Sequence, residues 1–130
     1  MTRAEYYELL RVYATLRSIR AEIGALYDTY QSPNLDTPRT GKPVRADPVS
    51  EAVHKISRLR ETEKKYIARL LEFESIIESI PSIRVQCVIR YRMLGYSWRK
   101  TALMMNDHPE AIRKTLERYL NSQTPEPYTH

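Results

Sequence analysis

Apolar residues return along the first part of the chain at spacings that alternate between three and four. Leu9, Val12, Leu16, Ile19, Ile23, Leu26 and Tyr30 follow this rhythm without a break. The pattern predicts an α-helix from about Ala4 to Tyr30 that packs along one stripe against another helix. Gly24 lies inside it and costs up to ~1 kcal/mol relative to Ala, which packing must offset. Residues 31–47 break the rhythm. Pro33, Pro38 and Pro43 remove backbone donors and fix φ, and Gly41 loosens what remains, so a mobile loop is expected. Its Arg39, Lys42 and Arg45 are read as solvated charges rather than phosphate contacts.

A second helix starts cleanly. Asp47 suits the N-cap, Pro48 the first helical position, and Glu51 the positive helix terminus. Val49, Ala52, Ile56, Leu59, Glu63, Tyr66, Leu70, Phe73, Ile77 and Ile80 then repeat at the same spacing, with Glu63 the one polar position. Glu63 either pairs with an Arg or Lys across the seam or faces solvent. Val53, Ile67, Leu71 and Ile76 widen the stripe, and that width predicts a third packing partner. Pro81 ends the helix by pushing Ile80 out of the α region. The seam residues Leu9, Val12, Leu16, Ile19, Ile23, Leu26, Ile56, Leu59, Leu70, Phe73 and Ile77 fit an antiparallel hairpin within one chain. They fit a coiled coil between chains equally well.

From Ser82 the rhythm changes to short pieces. SIRVQCVIRYRML reads as a helix with Val85, Val88, Ile89 and Tyr91 as buried candidates, closed by Gly95 in a left-handed conformation. Ser97 caps WRKTALMM, and Asn106 tolerates the left-handed turn that ends it. Pro109 then opens PEAIRKTLERYLN, whose inner face is Ile112, Leu116, Tyr119 and Leu120. Three short helices with a tight turn before the last predict a helix-turn-helix, with Ala102 as the small residue where two helices meet. The fold expected is therefore all-α, a long two-helix unit over 1–80 followed by a three-helix unit over 81–121. Residues 122–130 have neither periodicity nor apolar mass, and a disordered tail is expected there.

Charge sharpens this picture. The 130 residues carry a net +5, but residues 1–80 hold 13 basic and 12 acidic side chains, so the excess lies further on. Residues 81–122 carry Arg84, Arg90, Arg92, Arg99, Lys100, Arg113, Lys114 and Arg118 against Asp107, Glu110 and Glu117. A segment of this kind attracts polyanions through its field and through counterion release. One cysteine excludes a disulfide framework and three glycines leave no phosphate-cradling loop. No apolar run approaches the ~18–20 residues that cross a bilayer. The faces of the long helices mix both signs of charge, which argues against a membrane surface.

Arg90, Tyr91, Gly95, Ser97, Trp98 and Ala102 form an "RY…G.SW…A" segment. Residues 81–120 thereby resemble region 4 of bacterial sigma factors. The whole layout resembles the phage and prophage family of sigma-region-4-like proteins related to ArpU-type late transcription regulators. Three features depart from that pattern: Thr101 stands where an aliphatic residue is usual, Asp107 where an apolar one is common, and Leu103 and Met104 where polar residues are normal. Leu103 and Met104 are expected to dock on the wide stripe of the second helix, with a partner protein as the alternative.

By analogy with the motif, the last helix enters the major groove with its N-terminal half. His108, Glu110, Arg113, Lys114 and Glu117 are the base-reading candidates, Arg113 through a bidentate contact to guanine and Glu110 by accepting from cytosine. Ser97, Arg99 and Lys100 are the phosphate candidates. Trp98 is expected to fill the core against Tyr91 or Tyr119 rather than stack on a base, and most tyrosines to pack. Cys87 reads as an inert thiol, and His54 and His108 as surface residues. No catalytic or metal constellation is visible, and no cofactor is expected. The function implied is sequence-specific binding of double-stranded DNA in transcription regulation, in the cytoplasm of a bacterial or prophage-bearing cell. RNA polymerase and a second copy of the chain are the further partners expected. A small terminase subunit and a protein-binding helical adaptor are the rival readings.

Overall fold

A computed structural model describes residues 1–31 and 48–123. Among the described residues the chain is built from five α-helices and no strand: α1 (Arg3–Gln31), α2 (Pro48–Glu78), α3 (Ile83–Met93), α4 (Trp98–Met105) and α5 (Pro109–Gln123). The expected loop with Arg39, Lys42 and Arg45, the Asp47 cap and residues 124–130 lie outside the described residues.

α1 starts one residue earlier than its apolar rhythm suggests because Thr2 and Glu5 cap it reciprocally. The Thr2 Oγ1 accepts from the Glu5 N–H at 3.1 Å while the Glu5 carboxylate accepts from the Thr2 N–H at 2.9 Å. This satisfies two donors that a helix start otherwise leaves unpaired. α5 likewise runs two residues past its expected end, so Ser122 and Gln123 are helical rather than part of a tail.

α1 and α2 lie antiparallel. Glu8 pairs with Arg69 at 2.8 Å, Arg20 with Glu63 at 2.9 Å, and Glu22 with Lys55 at 3.6 Å, so positions rising along α1 meet positions falling along α2. The seam residues close on each other inside the chain. Ile19, Ile23 and Ile56, with Leu26 and Leu59 partly buried beside them, make a small cluster toward one end. Leu9, Val12, Phe73 and Ile77 belong to a larger cluster at the other end, with Leu70 packed against it. Leu16 is also buried.

Glu63 is buried at 8% exposure on this seam. Its two carboxylate oxygens accept from Arg20 and Arg60, at 2.9 and 3.0 Å. Those hydrogen bonds, Arg20 first, hold its carboxyl below the usual glutamate range. Of the two readings open for this residue, pairing across the seam is the one observed.

The larger cluster does not stop at residue 80. Leu9, Phe73 and Ile77 of the long helices share it with Val85, Val88 and Ile89 of α3, Ala102 of α4, and Ile112, Leu116 and Leu120 of α5. The change at Pro81 is thus a change in helix length, not a break in the core. Arg90 of α3 reaches Glu74 of α2 at 2.7 Å, and Arg17 of α1 donates to the Met93 carbonyl at 3.2 Å. Gly95 has φ +90°, and a Cβ there would stand 3.1 Å from the Arg17 guanidinium, so backbone conformation and a close neighbour both favour glycine.

Two expectations hold only in part. α3 packs against the end of the wide α2 stripe, where Ile76 joins the larger cluster, but Val53 and Leu71 stay open at 52% and 63% exposure. Tyr91 is only half-buried and stacks on Tyr96 with ring centroids 5.7 Å apart.

Core truncation should separate the buried seam from the open stripe. Leu9→Ala leaves a cavity in the large cluster and should cost about 2–5 kcal/mol, whereas Leu71→Ala should change stability by about 0.5 kcal/mol or less, both read by denaturant unfolding. The pH dependence follows from the seam carboxylate. A lowered folded-state pKa makes Glu63 stabilising above its unfolded value of about 4.3, and the contribution is lost as pH falls through the folded value. Glu63→Gln should therefore lower stability at neutral pH and flatten the decline below about pH 4 in acid titrations followed by circular dichroism.

Candidate nucleic-acid interface

Local chemistry builds the C-terminal helices. The Ser82 hydroxyl accepts from the Val85 N–H and starts α3, and the Ser97 hydroxyl accepts from the Lys100 N–H at 3.0 Å and starts α4. α4 ends where Asn106 takes φ 56° and ψ 52°. The Asp107 N–H then bonds back to the Ala102 carbonyl at 3.0 Å, which satisfies a helix-end acceptor. Asn106, Asp107 and His108 complete the turn, and Pro109 begins α5.

Asp107, which breaks the usual apolar pattern after the turn, has a structural task. Its carboxylate accepts from Arg84 of α3 at 2.5 Å and from the His108 N–H at 2.7 Å. Both interactions, Arg84 foremost, hold its carboxyl below the usual aspartate range. Arg84 also donates to Thr115 of α5 at 3.3 Å, so one guanidinium joins α3, the turn and α5. Ala102 and Ile112, at 2% and 0% exposure, lie in the shared core. Thr101 is fully buried, and its hydroxyl has no hydrogen-bond partner among the described residues.

These contacts bring the start of α4 and the first half of α5 to one side of the molecule. Trp98, Pro109, Glu110 and Arg113 line a single shallow hollow there. Trp98 is half-buried, and its ring is covered by Arg92 at 4.3 Å from the centroid, so its stacking partner is an arginine and not Tyr91 or Tyr119. Lys100 lies over Tyr96 at 4.1 Å.

The candidate residues divide by what they touch. Ser97, Arg99, Lys100, His108, Glu110, Arg113, Lys114 and Glu117 are all exposed. Arg113 pairs with Glu110 at 2.8 Å one helical turn away, an exposed contact worth little and easily exchanged. Glu117 differs: it holds Arg3 of α1 at 3.2 Å, while Arg3 also donates to Asn121 at 2.6 Å. Glu117 therefore fastens α5 to the start of α1 and is engaged within the chain. Among the described residues Arg99 and Lys114 make no ion pair. Arg118, one turn beyond Lys114, is exposed and equally unpaired. Sequence reasoning misses it as a candidate, although it lies four positions from Lys114, within reach of the same face.

The positive charge of the segment is therefore divided. Arg84, Arg90 and Arg92 spend their donors on Asp107, Glu74 and the Tyr96 carbonyl, and Arg99, Lys100, Arg113, Lys114 and Arg118 supply the outward charge. Leu103 and Met104 do not dock on α2. They are 75% and 52% exposed because α4 packs against α3 and α5 and turns this face outward. Among the described residues no cluster of His, Cys, Asp and Glu could hold a metal ion, and no helix is long and apolar enough to cross a membrane.

No protein-family model, curated protein or solved structure matches the chain.

The orphaned hydroxyl gives a test of the α4 packing. Thr101→Val removes an unpaired buried polar atom and keeps the branched shape, so stability should rise by about 1–2 kcal/mol in equilibrium unfolding. Asn106→Val, which forces a β-branched residue into the left-handed region, should cost about 1–2 kcal/mol.

Proposed function

We propose that the chain binds duplex DNA through a helix-turn-helix formed by α4 and α5 and acts in transcription control of the phage or prophage type. In this reading α1 and α2 form a hairpin that carries the DNA unit, mediates self-association and offers a surface to RNA polymerase, in the cytoplasm of a bacterial cell. One observation carries the reading: among the described residues Arg99, Lys100, Lys114 and Arg118 are exposed and make no ion pair, on the two helices whose Trp98, Pro109, Glu110 and Arg113 line one hollow. Backbone N–H groups at the start of α4, with Ser97 beside them, would take a phosphate. Arg113 would exchange Glu110 for guanine, and Lys114 would reach a base or the opposite backbone. No catalytic step and no cofactor belong to this function.

A protein-binding adaptor is the second reading, and the exposure of Leu103 and Met104 favours it. An apolar pair of this kind suits a protein surface better than a phosphate backbone.

Duplex binding at two salt concentrations separates the two. The wild type should bind duplex fragments with a strong salt dependence and a sequence preference. Arg113→Ala/Lys114→Ala should lower affinity by about 10–100-fold and reduce the salt slope by about 1 for each phosphate no longer neutralised. Lys65→Ala, an exposed cation on α2, should leave binding unchanged. Absence of binding at low salt would refute the DNA function and point instead to a protein partner for α4.

A further inference from the structure

The two sides of the α1–α2 pair are finished differently. One is closed by the ion pairs Glu8–Arg69 and Glu22–Lys55. The other, bridged among the described residues by Arg20–Glu63 alone, keeps an open and mainly apolar groove of about 260 Å³ lined by Tyr13, Leu16, Ile67, Leu70 and Leu71, with Arg20 and Glu74 also on its wall. Along its α2 rim, Arg60, Lys64, Ile67, Leu71, Glu74 and Glu78 recur at spacings of four, three, four, three and four, and so lie on one helix face. The seam to α1 uses a different set of positions; within the chain Arg60 of this row is held by Glu63 and Glu74 by Arg90, whereas Ile67 and Leu71 line the open groove. Leu71 is 63% exposed at its centre.

The order of chemistry along this row is basic, basic, apolar, apolar, acidic, acidic. That order is its own complement when reversed. We propose that a second copy of this chain docks here, with the two α2 helices antiparallel about a two-fold axis near position 69. Ile67 of each copy then meets Leu71 of the other, Lys64 meets Glu74, and Arg60 meets Glu78. A two-fold interface requires this reciprocity, because each contact occurs twice.

The helix dipole supports the same arrangement. Acidic residues are favoured at a helix N-terminus and basic ones at the C-terminus, yet α2 has no basic residue in its last turn and ends on Glu78. Lys64 has only an exposed contact with Glu61 at 3.5 Å. Glu74 is bound by Arg90 and stays partly open at 38% exposure, leaving room for a second cation. An antiparallel copy brings Arg60 and Lys64 to the negative end of its neighbour's α2. Lys64, Ile67, Leu71 and Glu78 lie outside the intrachain seam, whereas Arg60 also holds Glu63 and Glu74 also holds Arg90.

This inference gives the proposed self-association a surface, and its test uses no DNA, so either can fail without the other. Sedimentation velocity of the full chain over a concentration series should show a reversible monomer–dimer equilibrium that weakens with salt. Leu71→Glu should weaken association at least ~10-fold, with helical content unchanged because the residue is exposed. Lys64→Glu and Glu74→Lys should each be monomeric alone, since like charges then face each other twice. An equimolar mixture of the two should restore association to within ~3-fold of wild type, because both contacts become complementary again. Glu78→Lys, exposed and without an ion pair among the described residues, provides a second variant should Glu74→Lys disturb the contact with Arg90, and by itself it should weaken association because it then faces Arg60 of the other copy. A wild type that stays monomeric, a dimer indifferent to Leu71→Glu, or mixtures that fail to reassociate would each overturn the proposal.

Discussion

The apolar cluster that joins Leu9, Phe73 and Ile77 to Val88, Ile89, Ile112 and Leu116 is the constraint on which every other feature depends. α3, α4 and α5 are 11, 8 and 15 residues long. Isolated helices shorter than ~12–15 residues are marginal in water, so burial of α3 and α5 against the long pair, and of α4 against α3 and α5, must hold them. The long pair also needs them, because Phe73, Ile77 and Leu9 would otherwise present their apolar faces to water. The orientation of the outward cations is set by this mutual burial.

Polar groups then refine what the cluster sets. Asp107 and Arg84 tie the turn to α3, and Glu117 and Arg3 tie α5 to α1. Glu63 accepts two guanidinium groups where the seam would otherwise hold an apolar residue, and it stands between the two apolar clusters. Arg60 lies on the same helix, so it is the register that brings Arg20 across the seam which completes the pairing of this buried carboxylate. These contacts consume part of the charge that makes the C-terminal segment basic. The outward charge of that segment is correspondingly smaller than its formal charge and rests on Arg99, Lys100, Arg113, Lys114 and Arg118.

Much of the helix layout is legible because its signals are local. The three–four rhythm of Leu9 to Leu26, the cap at Ser97, the left-handed Asn106 and Pro109 at a helix start each act within a few residues of themselves. The reciprocal cap of Thr2 and Glu5 is equally local, as Thr-x-x-Glu before an apolar run, and it accounts for the earlier start of α1. The candidate surface is legible only in part. Arg113 and Lys114 are outward by helical period alone, whereas the capture of Glu117 by Arg3 joins positions at opposite ends of the chain. The exposure of Leu103 and Met104 escapes a linear reading for a related reason: hydrophobicity says that a residue would gain from burial, not that a surface is available to bury it.

The sequence by itself therefore determined the helices, their caps, the tight turn before α5 and which face of each helix is apolar. These follow from backbone preference and side-chain period, which are properties of neighbouring residues. Only the tertiary structure decided that the two halves share a core, which cations remain free, and that one side of the α1–α2 pair stays open. Those outcomes depend on which distant surfaces meet with matching shape and charge. A periodic pattern does not encode that choice, since the same apolar stripe fits any partner of similar width.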